Sequence, residues 1–453
     1  MRADHLFGCR EHIALNRRNL LAGTTSLALW SLLPKAAVAG TRDPRFLTIV
    51  LRGALDGLAL AAPVGDPAYA GLRGKLAIPK DGAGSGLPLD GFFALNSAMP
   101  ALHELYKKGE ATIFHAVSTP YRGRSHFDGQ DVLENGLPGV GSPGVGNNDT
   151  GWLNRALAGL PAAGRSEPHK GLAMGAVVPL VMRGNAPVLS WTPKANGLQL
   201  QEQTIARLMD LYAHTDAGLA KAFAEGLEID RVGMTGAPAL AAVQTTKPAA
   251  PAGNPMAAAT APLPPATAAA QAAPMAPPPA RPFRDLIETA ETAAKFMTAP
   301  GGPRVGALSF DGWDTHANEG VITGQLANKF AGLDAAIKAF ADGMGPAWKE
   351  TVVLIVTEFG RTARTNGTEG TDHGTGTVAL LVGGAIKGGR VIADWPGLSD
   401  ANLFEARDLK PTQDLRAISK GILRDHLGIP DGALASLIFP DSASVKGVQG
   451  LLA

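Results

Sequence analysis

Two short stretches of the sequence concentrate carboxylate and imidazole side chains among glycines and threonines. The first, FDGWDTHANEG, begins at Phe310, and the second, VTEFGRTARTNGTEGTDHGTG, runs from Val356 to Gly376. Their residues of metal-binding type are Asp311, Asp314, His316, Glu358, Asp372 and His373. Oxygen and nitrogen ligands of this kind suit Zn²⁺, Mn²⁺ or Mg²⁺. We therefore predict that both stretches contribute to one site for a divalent metal cofactor.

Each of these residues also has a plainer interpretation. An aspartate followed closely by a histidine, as in WDTH, is compatible with a simple hydrogen-bonded pair. Glu358 follows a near-continuous apolar run, so its carboxylate is expected to be buried and to need a partner. Arg361 is a candidate for that structural role. The sequence alone leaves a metal ligand and a buried ion pair open at Glu358.

A further candidate ligand follows the first strand-like segment of the chain. In FLTIVLRGALDGLAL, the apolar run ends in glycine and Asp56. We predict that Asp56 contributes to the metal site. The alternative is a turn in which this carboxylate accepts hydrogen bonds from its own backbone.

The segment STPYRGRSHFDGQD combines a hydroxyl, two arginines and a histidine. Ser125 directly precedes a helical pattern, HFDGQDVLEN, and the positive end of a helix favours a bound anion. We predict Ser125 as a hydroxyl nucleophile, Arg122 and Arg124 as anion-binding residues and His126 as a metal ligand. The alternatives are a helix N-cap for Ser125 and a pair of His126 with Asp128.

Strands must position these residues. Apolar strand-like runs precede four of the polar segments: Phe46–Leu51, ATIFHAV from Ala111, RVGALSF from Arg304, and TVVLIVTEF from Thr351 to Phe359. Amphipathic helical patterns separate them, which favours a parallel α/β sheet. Ligands of such sheets bind outside the carboxyl ends of the strands. The candidate residues are therefore expected to meet at one edge.

Residues 1–39 have the pattern of a twin-arginine-type signal peptide. Arg17 and Arg18 precede an apolar run from Leu20 to Leu33, and Ala37–Ala39 is a small-x-small cleavage site. The run is about 14 residues long, whereas a membrane span needs roughly 20. We therefore expect a cleaved leader, the twin-arginine export machinery as a partner, no stable membrane span after cleavage, and a periplasmic or secreted mature protein.

Composition limits the remaining possibilities. The 41 basic and 40 acidic residues give a net charge of +1, so no nucleic-acid partner is expected. Residues 40–453 are predicted to form a single domain. Residues 236–282 within it are so rich in alanine and proline that we predict a disordered insertion.

Six motifs in order resemble a family of exported bacterial proteins, domain of unknown function 1501. They are LRGALDGL, RSHFDGQDVLENG, GWLNR, FDGWDTHAN, TEFGRTARTNG and GTDHGTG. That family is grouped with the alkaline-phosphatase-like superfamily, which includes sulfatases and phosphoglycerate mutases. The resemblance implies a three-layer α/β/α sandwich with a mostly parallel central sheet. It also implies metal-dependent transfer of phosphoryl or sulfuryl groups.

The resemblance also implies residue roles. Asp56 matches the metal aspartate of the first strand, and Ser125 falls near the place of the nucleophile. Asp311 or Asp314 with His316 resembles an Asp-x-x-x-His pair, although the spacing differs. His373 resembles a late histidine ligand, and Glu358 stands where an Asp-His pair is usual.

The prediction is an exported metal-dependent hydrolase of phosphate or sulfate esters that uses a hydroxyl nucleophile on a small-molecule or polymer substrate. The clustering of Asp, His and Arg at strand ends favours it. The alternative is a non-catalytic exported binding or assembly protein with at most one metal, which Glu358 in place of the Asp-His pair favours. A sugar-acting hydrolase with paired carboxylates is a third hypothesis, and no spacing in the sequence selects it.

Overall fold

A nine-stranded sheet forms the centre of the protein. The computed structural model describes residues 42–142, 150–160, 171–175, 177–192, 224 and 281–453. The strands are β1 (Arg45–Leu51), β2 (Ala61–Ala62), β3 (Leu87–Pro88), β4 (Ala94–Leu95), β5 (Ala111–Ser118), β6 (Gly171–Met174), β7 (Val188–Trp191), β8 (Val305–Phe310), β9 (Thr351–Val356), β10 (Thr377–Val382), β11 (Arg390–Ile392) and β12 (Gln413–Asp414). The order in the large sheet is β11-β5-β10-β9-β1-β8-β6-β7, and β12 also pairs with β5.

The pairing in this sheet is mostly parallel. Strand β1 lies between β8 and β9 and is parallel to both, with Ile49 opposite Leu308 and Ile355. Strand β10 is antiparallel to its neighbours β5 and β9. A separate small sheet, β2-β4-β3, is antiparallel. Because β1 pairs with β8, segments from both sides of the predicted insertion belong to one sheet.

Helices cover both faces of the large sheet. They are α1 (Gly57–Leu60), α2 (Tyr69–Arg73), α3 (Pro100–Lys107), α4 (His126–Asn135), α5 (Trp152–Ala158), α6 (Arg281–Thr298), α7 (Gln325–Met344), α8 (Leu415–Asp425) and α9 (Asp431–Ala433). Short 3₁₀ turns span Gly74–Leu76, Leu180–Met182 and Gly345–Glu350, and a π-helical turn spans Leu434–Ile438. None of the described helices has the length and apolar character needed to cross a bilayer.

The two faces of β1 show why the sheet is buried on both sides. Leu47, Ile49 and Leu51 belong to a core that includes apolar residues of α3, α6 and α7. Phe46 and Val50, which alternate with them, belong to a second core with residues of α5 and α8. The predicted fold, a three-layer α/β/α sandwich with a mostly parallel central sheet, is confirmed.

The segments that carry the candidate residues leave the sheet at one edge. Strands β5, β9, β1 and β8 run in the same direction, so their carboxyl ends lie together. Strand β10 runs in the opposite direction and begins at that edge, directly after the segment that contains His373. The four segments that follow β1, β5, β8 and β9 therefore meet the segment that precedes β10 at this edge.

Most element bounds agree with the sequence patterns, with one useful difference. The run TVVLIVTEF predicts a strand to Phe359, but β9 ends at Val356, so Glu358 lies in the following loop. The predicted signal peptide and nearly all of the predicted insertion lie outside the described residues, and their assignment stays a prediction.

Candidate metal centre

Three imidazoles and one carboxylate converge at the carboxyl edge of the sheet. The Nε2 atom of His373 lies 2.9 Å from Nε2 of His126 and 3.0 Å from Nε2 of His316. Asp314 Oδ1 lies 3.0 Å from His316 Nε2 and 3.2 Å from His373 Nε2, and its Oδ2 lies 3.3 Å from His126 Nε2. Ligand atoms of His126, Asp314 and His373 all lie within 4.8 Å of one another. His126, Asp314, His316 and His373 are together called the His3Asp cluster below.

The outer nitrogen of each imidazole has its own hydrogen-bond acceptor. His126 Nδ1 lies 2.7 Å from Glu358 Oε1, and His373 Nδ1 lies 2.8 Å from the carbonyl oxygen of Arg124. His316 Nδ1 lies 3.3 Å from Asp372 Oδ1. A carbonyl or carboxylate oxygen can only accept, so each Nδ1 carries a proton. In the neutral imidazoles the three Nε2 atoms therefore present lone pairs towards the cluster.

This arrangement fits a bound cation. Two Nε2 lone pairs 2.9 Å apart repel each other unless a positive charge lies between them. A tetrahedral zinc site with Zn–N distances of about 2.0–2.1 Å places neighbouring ligand atoms about 3.3 Å apart. The distances of 2.9–3.3 Å that join His373 and Asp314 to each other and to His126 and His316 are close to that spacing. Histidines fixed through Nδ1 by carboxylates or carbonyls are the usual ligands of such metals.

Local backbone structure explains how the four ligands arrive. His126 is the first residue of α4, directly after the N-cap Ser125. Asp314 and His316 lie in the loop after β8, and this loop approaches the loop before β10 very closely. A Cβ atom on Gly370 would lie 2.3 Å from the carbonyl carbon of His316, so only glycine allows this contact. The glycines around His373 therefore have a packing role.

Asp314 is held by an arginine. Arg361 Nη1 donates to Asp314 Oδ1 at 2.5 Å, and the Arg361 side chain is fully buried. Burial alone would raise the pKa of Asp314, but the hydrogen bond and charge of Arg361 outweigh it and lower the pKa. The carboxylate is thus kept ionised beside the three imidazoles, as a metal ligand must be.

Glu358 is fully buried and lies one hydrogen bond away from the cluster. Besides the contact with His126, its Oε1 accepts from the backbone N–H of Gly53 at 2.8 Å and from Gln130 at 3.3 Å. Its Oε2 accepts from the Thr357 hydroxyl at 3.0 Å. Burial raises the pKa of Glu358, but the hydrogen bonds from His126 and the others lower it overall. The contacts therefore make Glu358 a hydrogen-bond partner of His126, and they give no support to its predicted role as a metal ligand.

The pKa values of two imidazoles shift in opposite directions. The hydrogen bond to Glu358 is the main reason that the pKa of His126 is raised. Burial is the main reason that the pKa of His373 is lowered. Asp372, like Glu358, accepts from the Nδ1 of an imidazole of the cluster, and the contacts give no support to its predicted role as a metal ligand. Its pKa is lowered chiefly by the hydrogen bond from Asn366, whose Nδ2 lies 3.1 Å from Asp372 Oδ1.

Asp56 is not brought into the His3Asp cluster. Its Oδ1 accepts from the backbone N–H groups of Leu58 and Ala59, which makes it the N-cap of α1. Its Oδ2 is paired with Arg73 inside the protein, where both side chains are almost completely buried. The direction of the cap turns this carboxylate inwards, so its predicted role as a ligand receives no support from the contacts.

The segment before α4 lies at the site, but its side chains have partners of their own. Ser125 Oγ accepts from the backbone N–H of Asp128 at 3.4 Å, as an N-cap does. Arg124 pairs with Glu405 and Asp408 at 2.6 and 2.9 Å. Arg122 donates to the backbone carbonyls of residues 119 and 121. Among the described residues, this segment contacts the cluster through its backbone, where the carbonyl oxygen of Arg124 accepts from His373 Nδ1.

Asp311 is exposed in the loop after β8. Among the described residues, no contact joins it to the His3Asp cluster. It precedes Gly312, whose φ of 93° turns the chain before Asp314.

Sequence reasoning missed several polar residues behind the cluster. They are Gln130, Glu319, Asn366, Thr371 and Arg407. Arg407 donates to the carbonyl oxygen of His373 at 2.8 Å, and Thr371 contacts Arg361. Asn366 and Thr371 lie in the stretch from Val356 to Gly376. Their closeness in sequence to Asp372 and His373 was the signal that could have identified them. Glu319 likewise lies in the quoted stretch FDGWDTHANEG, whereas Arg407 lies outside both stretches and gave no such signal.

Comparison with solved structures gives distant likenesses. A structure described as "Ps i-CgsB in complex with k-i-k-neocarrahexaose" has 11% identity and a TM-score of 0.38, with 90% of this chain and 75% of that chain covered. The PsFucS1 sulfatase from Pseudoalteromonas sp. has 12% identity and a TM-score of 0.36, with 95% and 76% covered. Phosphonate monoester hydrolase of Agrobacterium radiobacter has 12% identity and a TM-score of 0.33, with 90% and 79% covered. A comparison with curated proteins gave no match.

Comparison with protein families gives a match over most of the chain. The profile described as "Protein of unknown function (DUF1501)" matches residues 106–435. These residues contain the whole His3Asp cluster together with Glu358 and Asp372. The chain belongs to the DUF1501 family.

Proposed function

We propose that this protein is an exported metal-dependent hydrolase of phosphate or sulfate esters. The observation that carries the proposal is the His3Asp cluster, in which each imidazole directs its Nε2 inwards while its Nδ1 is bound from outside. An ion-pair network without a metal would not need three histidines with one shared orientation. Zn²⁺ fits this ligand set best, and Mn²⁺ is the second choice.

The cluster is open to solvent on the substrate side. The side chains of His316 and Asp314 are 46% and 37% exposed, whereas those of Arg361, which binds Asp314, and Glu358, which binds His126, are 0% exposed. A site that only stabilises the fold is usually closed, and a catalytic one keeps an accessible position. When bound, the metal would act as a Lewis acid on an ester oxygen and would lower the pKa of a nearby hydroxyl.

The protein's own groups would bind the anionic part of the substrate. Helix α4 has ten residues and begins at His126, so its N-terminal amides lie beside the cluster. Ser125 directly precedes His126, and we propose its hydroxyl as the nucleophile. Arg407, which binds the backbone of His373, adds a positive charge at the same place.

Export is the second part of the proposal. The twin-arginine pattern in residues 1–39 supports transport by that machinery to the periplasm or beyond. The substrate would then be an ester that reaches this compartment, either as a small molecule or as a polymer.

Elemental analysis of the mature protein is the decisive measurement. The protein would be purified from the periplasm without chelator, beside a double variant with His316→Ala and His373→Ala. We expect about one Zn or Mn per chain in the wild type and none in the double variant. Comparable circular dichroism and thermal unfolding of the two metal-free proteins would show that the variant is folded.

Activity would then be measured with p-nitrophenyl phosphate and p-nitrophenyl sulfate. Hydrolysis that requires the metal and is lost in Ser125→Ala supports the whole proposal. Metal-dependent hydrolysis that survives in Ser125→Ala would contradict the nucleophile and keep the metal. Absence of metal from the folded wild type would contradict the proposal and favour a non-catalytic binding or assembly protein.

A further inference from the structure

A buried hydrogen-bond chain lies directly behind Asp314. It begins with Arg361, whose Nη1 donates to Asp314. Its Nε donates to the Thr371 hydroxyl at 3.0 Å, and its Nη2 donates to the Thr371 carbonyl oxygen. The guanidinium is therefore fixed by residue 371 on the side away from the cluster.

The Thr371 hydroxyl continues the chain inwards. It donates to Glu319 Oε2 at 2.9 Å, and both side chains are fully buried. A hydroxyl has one proton, so donation to Glu319 leaves its lone pairs free to accept from Arg361. Glu319 thereby determines which way the hydroxyl points.

The inner end of the chain, Glu319, is affected by the buried carboxylate of Asp56. Burial, and after it the negative charge of Asp56, raise the pKa of Glu319 to about 8. Asp56 in turn forms the buried ion pair with Arg73. Glu319 reaches Arg361 through the Thr371 hydroxyl, whereas Asp314 accepts from Arg361 directly. The guanidinium is thereby directed at the carboxylate of Asp314.

We infer that Thr371 and Glu319 are positioning residues for Asp314, acting through Arg361, and that they determine how tightly the His3Asp cluster holds its metal. The inference rests on the proposed function, because it requires Asp314 to be a ligand. It adds a function for the buried groups that contact neither metal nor substrate. Thr371 holds Arg361 at Nε and Nη2. The third nitrogen, Nη1, therefore has little conformational freedom where it donates to Asp314.

The test is the affinity of the full mature protein for Zn²⁺, measured by competition with a chromophoric chelator. Thr371→Val removes the hydroxyl and keeps the shape and the backbone carbonyl. We expect about 10-fold weaker binding, in line with the effect of removing a partner of a metal ligand. Thr371→Ser keeps the hydroxyl and should bind within about two-fold of the wild type. Glu319→Leu should weaken binding in the same direction and serves as the second variant.

Asp334→Asn is the matched control. Asp334 is a buried carboxylate whose pKa is raised by burial, and it accepts from the backbone N–H groups of residues 101 and 102. It should lower stability without changing Zn²⁺ affinity. Unfolding of the metal-free proteins by urea separates the two effects.

The outcomes are distinguishable. Weaker binding in Thr371→Val with recovery in Thr371→Ser supports the inference. Equal affinity of Thr371→Val and wild type, or an equal loss in Asp334→Asn, overturns it and leaves the metal site in place. A wild type that binds no Zn²⁺ overturns the metal site and this inference together, while loss of ester hydrolysis alone concerns only the proposed activity.

Discussion

Replacement of Glu358 by glutamine separates an orienting partner from a metal ligand. The amide has nearly the same shape as the carboxylate. With its oxygen at the place of Oε1, it can still accept from His126 Nδ1, Gly53 N and Gln130. Its NH₂ group would face the Thr357 hydroxyl, whose oxygen can accept. The hydrogen bonds at Oε1 survive, the bond with Thr357 reverses its direction, and the buried negative charge is lost.

The expected effect follows from that charge. An ionised Glu358 strengthens the donor character of His126 Nε2 through the 2.7 Å hydrogen bond at Nδ1. Removing such a partner weakens metal binding by about 10- to 100-fold, which corresponds to about 1.4–2.7 kcal/mol. The fold should largely tolerate the change, because His126, Gly53 N–H and Gln130 keep their acceptor, and only the Thr357 hydroxyl proton loses its own. Glu358→Ala, in contrast, leaves the Gly53 N–H without an acceptor, and should destabilise the metal-free protein by about 1–3 kcal/mol.

The assay is a Zn²⁺ competition titration together with urea unfolding of the metal-free proteins. A 10- to 100-fold loss in Glu358→Gln with an unchanged unfolding midpoint supports the orienting role. An unchanged affinity would show that the charge of Glu358 does not reach the metal. Complete loss of metal, as in His126→Ala, would refute the reasoning and make Glu358 a direct ligand.

Three further predictions concern the cluster, the inner ion pair and acid stability. His373→Ala should abolish Zn²⁺ binding, whereas His103→Ala, which removes an exposed imidazole bound to the carbonyl of residue 88, should not; isothermal titration checks both. Asp56→Asn should destabilise the fold by about 3–5 kcal/mol, because a buried Arg73 loses its partner, yet leave Zn²⁺ stoichiometry unchanged; loss of metal would restore Asp56 as a ligand. Burial lowers the pKa of His426 from 6.5 to about 4 in the folded protein. Between these two pH values the imidazole is therefore protonated in the unfolded chain and neutral in the folded one. Stability should therefore fall as the pH decreases from about 6.5 to 4, by about 3 kcal/mol for this group, and fall less in His426→Gln; equal pH profiles in urea unfolding would contradict this.

The sequence patterns predicted the sheet edge well. Periodicity located the strands, and the rule that ligands bind at the carboxyl ends of parallel strands grouped His126, Asp314, His316 and His373 correctly. The direction of each side chain was beyond this reasoning. Asp56 follows β1 as expected, but its capping of α1 turns it away from the edge. A rule that concerns strand ends cannot distinguish an inward cap from an outward ligand.

Glu358 is a second case in which the sequence predicted the position of a residue but not its partner. An apolar run before it correctly indicated burial, and the need for a partner was correctly inferred. The partner is His126, 232 positions earlier, and Arg361 pairs with Asp314 instead. Both partners are long-range contacts that depend on how α4 and the loop after β8 pack, which no local pattern contains.

Strand β10 explains why the ligands can surround a single point. If every strand at this edge were parallel, all candidate residues would follow strands and would enter the site from the same side. Because β10 is antiparallel, His373 precedes its strand and reaches the cluster from a segment that turns back over the loop after β9. Its Nε2 consequently contacts His126, His316 and Asp314, which lie at the start of the helix after β5 or in the loop after β8. The reversed strand is therefore the feature of the fold that closes the ligand set, and the glycines beside His373 are what allow its segment to lie this close to its neighbours.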